Sequence, residues 1–323
     1  MKNRSCQIFY YCPQNLHPTG GNKIAYRHVT LLQQSGLNAY IYHPTDDFCY
    51  SGLSDNPPIV GPSSIKPCSS DIFVLPEDSG PGLQSFAKGL RKIIFNQNAY
   101  YTFRHFDYDS NIIPPYGQGD FIGTFVVSED NKTYLEYAFP SLSVHRLILS
   151  LDYDTFQYTP WHQKRRQICF MTRKNYDDVV QVLKILSIRL CFEDWKFIPM
   201  QGLPESEVAR IMKESMIFLS FGHPEGLSLS NLEALACGCK VIGYSGRAGK
   251  EYFSHTDSDE ITFGDIIGFC QAVEFFVRSS CLNQSKIAKA TYNASEYIKN
   301  FYSLKREKET LLAAYSNIIS QRF

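Results

Sequence analysis

His223–Gly238 reads HPEGLSLSNLEALACG and stands between two apolar runs, Met216-Ile-Phe-Leu-Ser220 and Lys240-Val-Ile-Gly-Tyr244. Both runs are short and rich in β-branched and large apolar residues, which reads as buried strand, while 229–237 has helical spacing. Strand, glycine-bearing loop, helix, strand is the parallel βαβ unit, and its recurrence decides the fold. The unit carries two glutamates with seven residues between them: Glu225, in the loop before Gly226, and Glu233, one turn into the helix.

Outward from this unit the same alternation covers the chain. Strands are expected at Gln7–Tyr11, Asn38–Tyr42, Asp71–Leu75, Lys92–Phe95, Phe121–Val127 and Val144–Leu149. Helices are expected at 23–35 (stopped by Gly36), 83–91 and 131–138, with 44–70 left as a Pro-, Ser-, Gly- and Asp-rich loop. After the linker-like Asp152–Pro160 a second series begins: strands Gln167–Met171 and Trp195–Ile198, helices 177–190 and Glu205–Glu214, then the opening unit. The expected architecture is α/β, with two Rossmann-like doubly wound domains, 1–155 and 156–302, facing across a cleft. A last helix over 303–323 is expected to pack back on the first domain.

A chain of 323 residues, 44% hydrophobic, is long enough for two cores. Lys plus Arg equal Asp plus Glu at 32 each, a balance that argues against a nucleic-acid partner. The opening MKNRSCQIFYYCPQN has no sustained apolar run, and no stretch approaches the roughly 20 apolar residues of a membrane span. The ten cysteines, among them Cys6, Cys169, Cys191 and Cys270, often sit inside apolar runs. Cys237 and Cys239 have no second pair at zinc spacing, so buried thiols and a cytoplasmic protein are expected.

The loop before Leu229 lies at the carboxyl end of a parallel strand, where open α/β sheets bind ligands. The helix behind it presents free N–H groups suited to phosphate, and Gly226 lets backbone approach a bound group. Carboxylates such as Glu225 and Glu233 can each accept hydrogen bonds from sugar hydroxyls. Ser230-Asn-Leu-Glu233 also has a capping-box pattern, in which Glu233 would only satisfy a backbone N–H, and Glu225 could be an ordinary acid near a helix start.

The run P-E-G, then E-A-x-A-C-G-x-x-V-I, continuing through Gly243–Phe253, resembles the nucleotide-sugar signature of GT-B glycosyltransferases, in particular family 4 with its E-x7-E element. The resemblance spans about 213–253. It implies a metal-free, cofactor-free, retaining transferase that moves a sugar from a nucleoside-diphosphate sugar to a carbohydrate or glycolipid acceptor in polysaccharide or glycoconjugate assembly. It implies Glu225 at the transferred sugar, Gly226, Leu227 and Ser228 at sugar and diphosphate, and Glu233 at the ribose. Arg173 and Lys174, after strand 167–171, take the place of the family's diphosphate-binding cations, although the family Lys usually stands several residues later. Gly20 and Gly21 resemble the glycine pair of the first loop, near donor phosphate and acceptor, and would serve equally as a turn starting a helix. Met200-Gln-Gly202 falls where relatives hold the base through backbone. Asn96, within Asn96-Gln-Asn98, could hold acceptor hydroxyls or do turn work, and His105 reads as structural. A lipid-linked acceptor would bring the protein to the inner face of the membrane.

Three other readings compete. Asp107-Tyr-Asp109, Asp152-Tyr-Asp154 and Asp257-Ser-Asp259 match the D-x-D by which GT-A transferases hold a metal and diphosphate. A nicotinamide oxidoreductase would need a G-x-G-x-x-G after the first strand, which Thr19-Gly-Gly-Asn22 does not supply. A sugar-nucleotide-binding scaffold of the same fold would keep the motif and lack turnover; the short first domain leaves that open.

Overall fold

The computed structural model describes residues 5–51, 53, 55–189, 194–280 and 282–320. The chain divides into two compact units, Met1–Leu149 with Lys305–Phe323, and Ser150–Leu304. The first unit is built on seven strands: β1 Gln7–Tyr11, β2 Asn38–Tyr42, β3 Ile59–Val60, β4 Ile72–Pro76, β5 Arg91–Asn96, β6 Phe121–Val126 and β7 Val144–Arg146. They pair in the order β3-β2-β1-β4-β5-β6-β7, every pair parallel. Phe9, Phe73, Leu75, Ile94 and Val126 meet in the core on one face of this sheet.

Local chemistry explains the boundaries. The helix Gly20–Gln34 starts where the Thr19 side chain accepts the Asn22 N–H at 3.2 Å, and it stops before Gly36, whose φ is +81°. The helix expected over 83–91 is only the turn Gly82–Ser85, because Ala87 and Gly89 take positive φ and break the repeat. The 44–70 segment is mostly loop, as its composition indicates, but contributes the two-residue edge strand β3 beside β2. The helix Leu304–Ser320 belongs to this unit. Its Tyr315 hydroxyl donates to Tyr10 at 3.1 Å, and fully buried Glu307 pairs with Arg27 at 3.0 Å.

The second unit has β8 Arg165–Met171, β9 Lys196–Met200, β10 Ser215–Phe221, β11 Lys240–Tyr244 and β12 Asp259–Glu260, parallel throughout in the order β12-β11-β10-β8-β9. From β8 the chain crosses to β9 on one side; from β10 it crosses to β11 on the other. The direction of winding therefore reverses between β8 and β10, and a crevice opens at the carboxyl ends of such a pair. Ile168, Phe170, Ile217, Leu219, Phe221 and Ile242 form the core with Phe269 and Val273. The last two lie on Ile266–Ser280, which with Gln284–Phe301 makes two long helices in a stretch where the sequence reading names no element. The helix Ile266–Ser280 carries apolar residues on its outer face as well, with Ile267 and Phe275 exposed, and this blurs its period.

Among the described cysteines, Cys12, Cys169, Cys237, Cys239 and Cys270 are buried free thiols, Cys6 and Cys68 are half-buried and Cys49 is exposed; Cys191 lies outside the described residues. No helix of the described residues is long and apolar enough to cross a membrane.

Candidate active site

The switch point of the second unit holds a pocket of about 350 Å³. The end of β8 supplies Met171, Arg173 and Lys174, and the end of β9 supplies Met200, Gln201 and Gly202. The loop after β10 adds Gly222, Glu225, Leu227 and Ser228, and the start of the helix Leu229–Ala236 adds Asn231. The sequence thus brings five of its predicted residues, Arg173, Lys174, Glu225, Leu227 and Ser228, to one wall system.

The loops are held by specific contacts. Asn175 takes a left-handed backbone, φ +47°, which Asn tolerates, and stands at the start of the helix Tyr176–Ile188 without a side-chain capping bond. Its Nδ2 donates to the carbonyls of Phe221 at 3.0 Å and Gly222 at 3.2 Å, tying the β8 loop to the β10 loop. A Cβ on Gly222 would meet the Tyr244 carbonyl at 3.2 Å, and one on Gly246 would meet the His223 carbonyl at 2.9 Å. Only glycine lets these two loops lie so close. The Glu225 N–H then donates to the Gly246 carbonyl at 3.1 Å, which fixes the backbone under the carboxylate.

The Glu225 carboxylate forms an ion pair with Lys174, and both keep some contact with water, 14% and 32% of their side-chain surfaces. Arg173 beside them is exposed. Behind the loop Tyr252 is fully buried; burial pushes its hydroxyl pKa up, contact with the Asn231 side chain opposes that, and the Glu225 charge adds to it. The helix Leu229–Ala236 starts at Ser228, whose side chain makes no capping bond, so the first N–H groups have no side-chain acceptor from the N-cap. Asn231, 1% exposed, lies beside the buried Tyr252 hydroxyl, and its Nδ2 makes no hydrogen bond of good geometry to a described residue. An anion at this helix start would meet unsatisfied donors. Sequence reasoning missed Asn175 and Asn231, because an isolated Asn has no pattern to mark it.

Gly226 lies on the loop between Glu225 and Leu227, and Glu233 is half-buried one turn further on; neither is among the pocket's lining residues. Ser230 is the second residue of the helix rather than its cap, so the Ser230–Glu233 pair is out of register for a capping box.

In the first unit, Gly20 and Gly21 open the helix Gly20–Gln34, and a Cβ on Gly21 would meet the Gln97 amide nitrogen at 2.9 Å. Asn96 requires a correction. It is fully buried, and its Nδ2 donates to the hydroxyls of Thr102 at 2.9 Å and Tyr116 at 2.7 Å, so its amide N–H groups are spent inside its own unit, while its Oδ1 has no partner among the described residues. Asn98 does turn work, its side chain accepting the Tyr100 N–H, and His105 packs against Gly80.

The D-x-D pairs have other work. Asp152 accepts the N–H groups of Asp154 and Thr155, Asp257 and Asp259 pair with Lys240, and Asp107 and Asp109 lie in exposed turns.

No family model matches the chain. It is 27% identical over 345 residues to an alpha-1,6-glucosyltransferase of Actinobacillus pleuropneumoniae serotype 7, covering 98% of this chain and 97% of that one. Its fold is similar to a variant of S. aureus TarM solved with fondaparinux, alpha-GlcNAc-glycerol and UDP: TM-score 0.72, 10% identity, 98% of this chain and 100% of that one. It is similar as well to sucrose-phosphate synthase from Thermosynechococcus elongatus, with TM-score 0.70, 11% identity and the same coverage.

Proposed function

We propose that this chain, whose fold is that of the GT-B transferases, is a glycosyltransferase related to family 4 and moves a glucosyl or similar hexosyl group from a UDP-sugar to a hydroxyl of a carbohydrate or glycolipid acceptor. The carrying observation is that Arg173, Lys174, Glu225 and the start of the helix Leu229–Ala236 converge on one pocket. UDP as nucleotide is suggested by the similar TarM complex, and an α-linkage to a primary hydroxyl by the name of the similar Actinobacillus protein.

As the sugar–oxygen bond breaks, the sugar gains oxocarbenium character and the diphosphate gains negative charge. Arg173 grips the diphosphate with its planar guanidinium, Lys174 adds a second cation, and the uncapped helix start donates N–H groups. Donor phosphate competes with Glu225 for Lys174, and the released carboxylate accepts hydrogen bonds from the sugar. Glu225 orients the sugar and stabilises its positive character without attacking it; the acceptor hydroxyl adds on the face from which the diphosphate departs and passes its proton to the leaving phosphate oxygen, so configuration is retained. Backbone at Gly226–Ser228 lies along sugar and diphosphate, and Glu233 takes the ribose hydroxyls. The cations and the helix end fill the role a metal plays elsewhere, and Gly20–Gly21 serve the acceptor side.

Thermal-shift titration with UDP, GDP, ADP, CMP and dTDP, each with and without EDTA, tests this. UDP in EDTA should raise the melting temperature, with ~2.7 kcal/mol of stabilisation at about a hundredfold excess over Kd. UDP-glucose should then turn over with a sugar acceptor. A rise that disappears in EDTA would move the reading to a metal site. Binding without turnover would favour a scaffold, and no rise with any nucleotide would sink the donor site.

A further inference from the structure

A second pocket, of about 400 Å³, lies in the same unit on the other side of the Glu225 loop. Gly222 lines both pockets, Glu225 the first and Pro224 the second, so this loop is the wall between them. The chain after β11 supplies Arg247 and Lys250, and the end of β12 supplies Glu260, with Phe263 just beyond it. None of these four lines the donor pocket. Glu260 accepts the Ser245 hydroxyl at 2.7 Å on one carboxylate oxygen, and its other oxygen has no partner among the described residues. Phe263 packs its ring against Tyr244, centroids 5.1 Å apart, yet is 58% exposed. Arg247 takes a left-handed backbone, φ +70°, and forms a backbone bridge with Glu225. An arginine held where glycine is the unstrained choice points to a use for its side chain.

Charges of both signs in one hollow favour a neutral polyol over an anion. A phosphate drawn by Arg247 and Lys250 would meet the Glu260 carboxylate, whereas sugar hydroxyls donate to a carboxylate and accept from a guanidinium at once. An exposed aromatic ring gives the C–H face of a pyranose an apolar surface, and the volume is within the range of small-molecule sites. We propose that this pocket is a second carbohydrate subsite, holding a sugar unit of the acceptor other than the one that receives the hexose, an assignment that rests on the transferase reading of the first pocket. Phe263 is the stacking platform, and Glu260 and Arg247 bind hydroxyls. A sugar unit remote from the reacting atoms is held equally in the ground state and the transition state. The subsite therefore lowers KM for longer acceptors and leaves kcat alone.

Calorimetric titration with isomaltotriose, glucose and glucose 1-phosphate, with UDP present to fill the donor pocket, and steady-state transfer from UDP-glucose test it in wild type, Phe263→Ala and Phe263→Trp. Wild type should bind isomaltotriose more tightly than glucose. Phe263→Ala should raise Kd and KM for isomaltotriose about tenfold, the scale for losing one buried aromatic contact. Its kcat, its KM for glucose and its affinity for UDP should stay as in wild type, and Phe263→Trp should restore isomaltotriose binding. Unchanged UDP affinity also shows that the variant is folded. No isomaltotriose binding to wild type, or binding that Phe263→Ala leaves unchanged, would overturn the subsite while the donor site stands on its UDP titration. A preference for glucose 1-phosphate over glucose that Lys250→Ala removes would make the pocket an anion site and overturn it as well. Isomaltotriose binding that depends on Phe263 in a protein that binds no UDP would overturn the donor reading and keep the pocket a saccharide site.

Discussion

The two parallel sheets end in opposite ways. At the carboxyl ends of β8, β9 and β10 the polar side chains face a pocket: Arg173, Lys174, Gln201 and Glu225 line open space. At the ends of β4 and β5 polar side chains turn inward: Asn96 is fully buried and Glu77, directly after β4, is 7% exposed. Strand-end position alone therefore does not make a residue a ligand contact. The character of the side chain decides: adjacent cations such as Arg173 and Lys174 are too costly to bury unpaired, whereas a neutral amide is buried at lower cost once hydroxyls accept its N–H groups.

Glu225→Gln breaks the comparison most directly. The change removes the charge that pairs with Lys174 but keeps the shape. Transfer should fall about 10²- to 10³-fold, the scale for losing one electrostatic contact made in the transition state, with little change in melting temperature. Steady-state turnover beside a melting curve checks both. A large loss of stability with turnover per folded molecule intact would make Glu225 a structural residue.

The counterpart in the first unit is Asn96→Ala. Thr102 and Tyr116 would each lose a partner in a buried setting, which should destabilise by about 2 kcal/mol. Donor binding should not change, because the site proposed for it belongs to the other sheet. Denaturant unfolding together with UDP titration distinguishes the outcomes, and weakened UDP binding would show that Asn96 had been taken out of the ligand's reach too soon.

These two residues also mark how far the sequence could be read. Most strands and the fold class were visible because short apolar runs alternate with helical periods, and parallel sheets bury both faces of such runs. Glu225 was legible because its glycine loop, following helix and second glutamate form one long spaced pattern. Asn96 was not, because an amide after an apolar strand reads the same whether it points up to a ligand or down to Thr102. The Thr172–Gln201 contact was hidden for a similar reason: nothing local in the sequence joins two residues 29 positions apart. The helix Ile266–Ser280 escaped because exposed Phe275 and Ile267 spoil the one-sided pattern on which a helix assignment rests.

Glu77 sharpens the contrast between the sheets through pH, with the smallest effect. Burial pushes its carboxyl up from 4.5 to about 8; N–H groups of its own residue, Gln97 and Asn98 oppose that, and the neighbouring Asp78 charge adds to it. The fold therefore holds a proton on Glu77 at neutral pH that the unfolded chain has released. Stability from this group is full below about pH 4.5 and lost as pH rises to about 8, because over that window the folded state binds more protons than the unfolded one. Glu77→Gln keeps the shape and removes the titration. Its melting temperature should match wild type near pH 5 and exceed it near pH 8. A displacement of even one pH unit corresponds to about 1.4 kcal/mol, a rise of roughly 2–4 °C for a unit of this size. Parallel curves for the two proteins from pH 5 to 8.5 would mean that Glu77 is ionised in the fold, and that the first sheet, like the second, keeps a charged carboxylate at its strand ends.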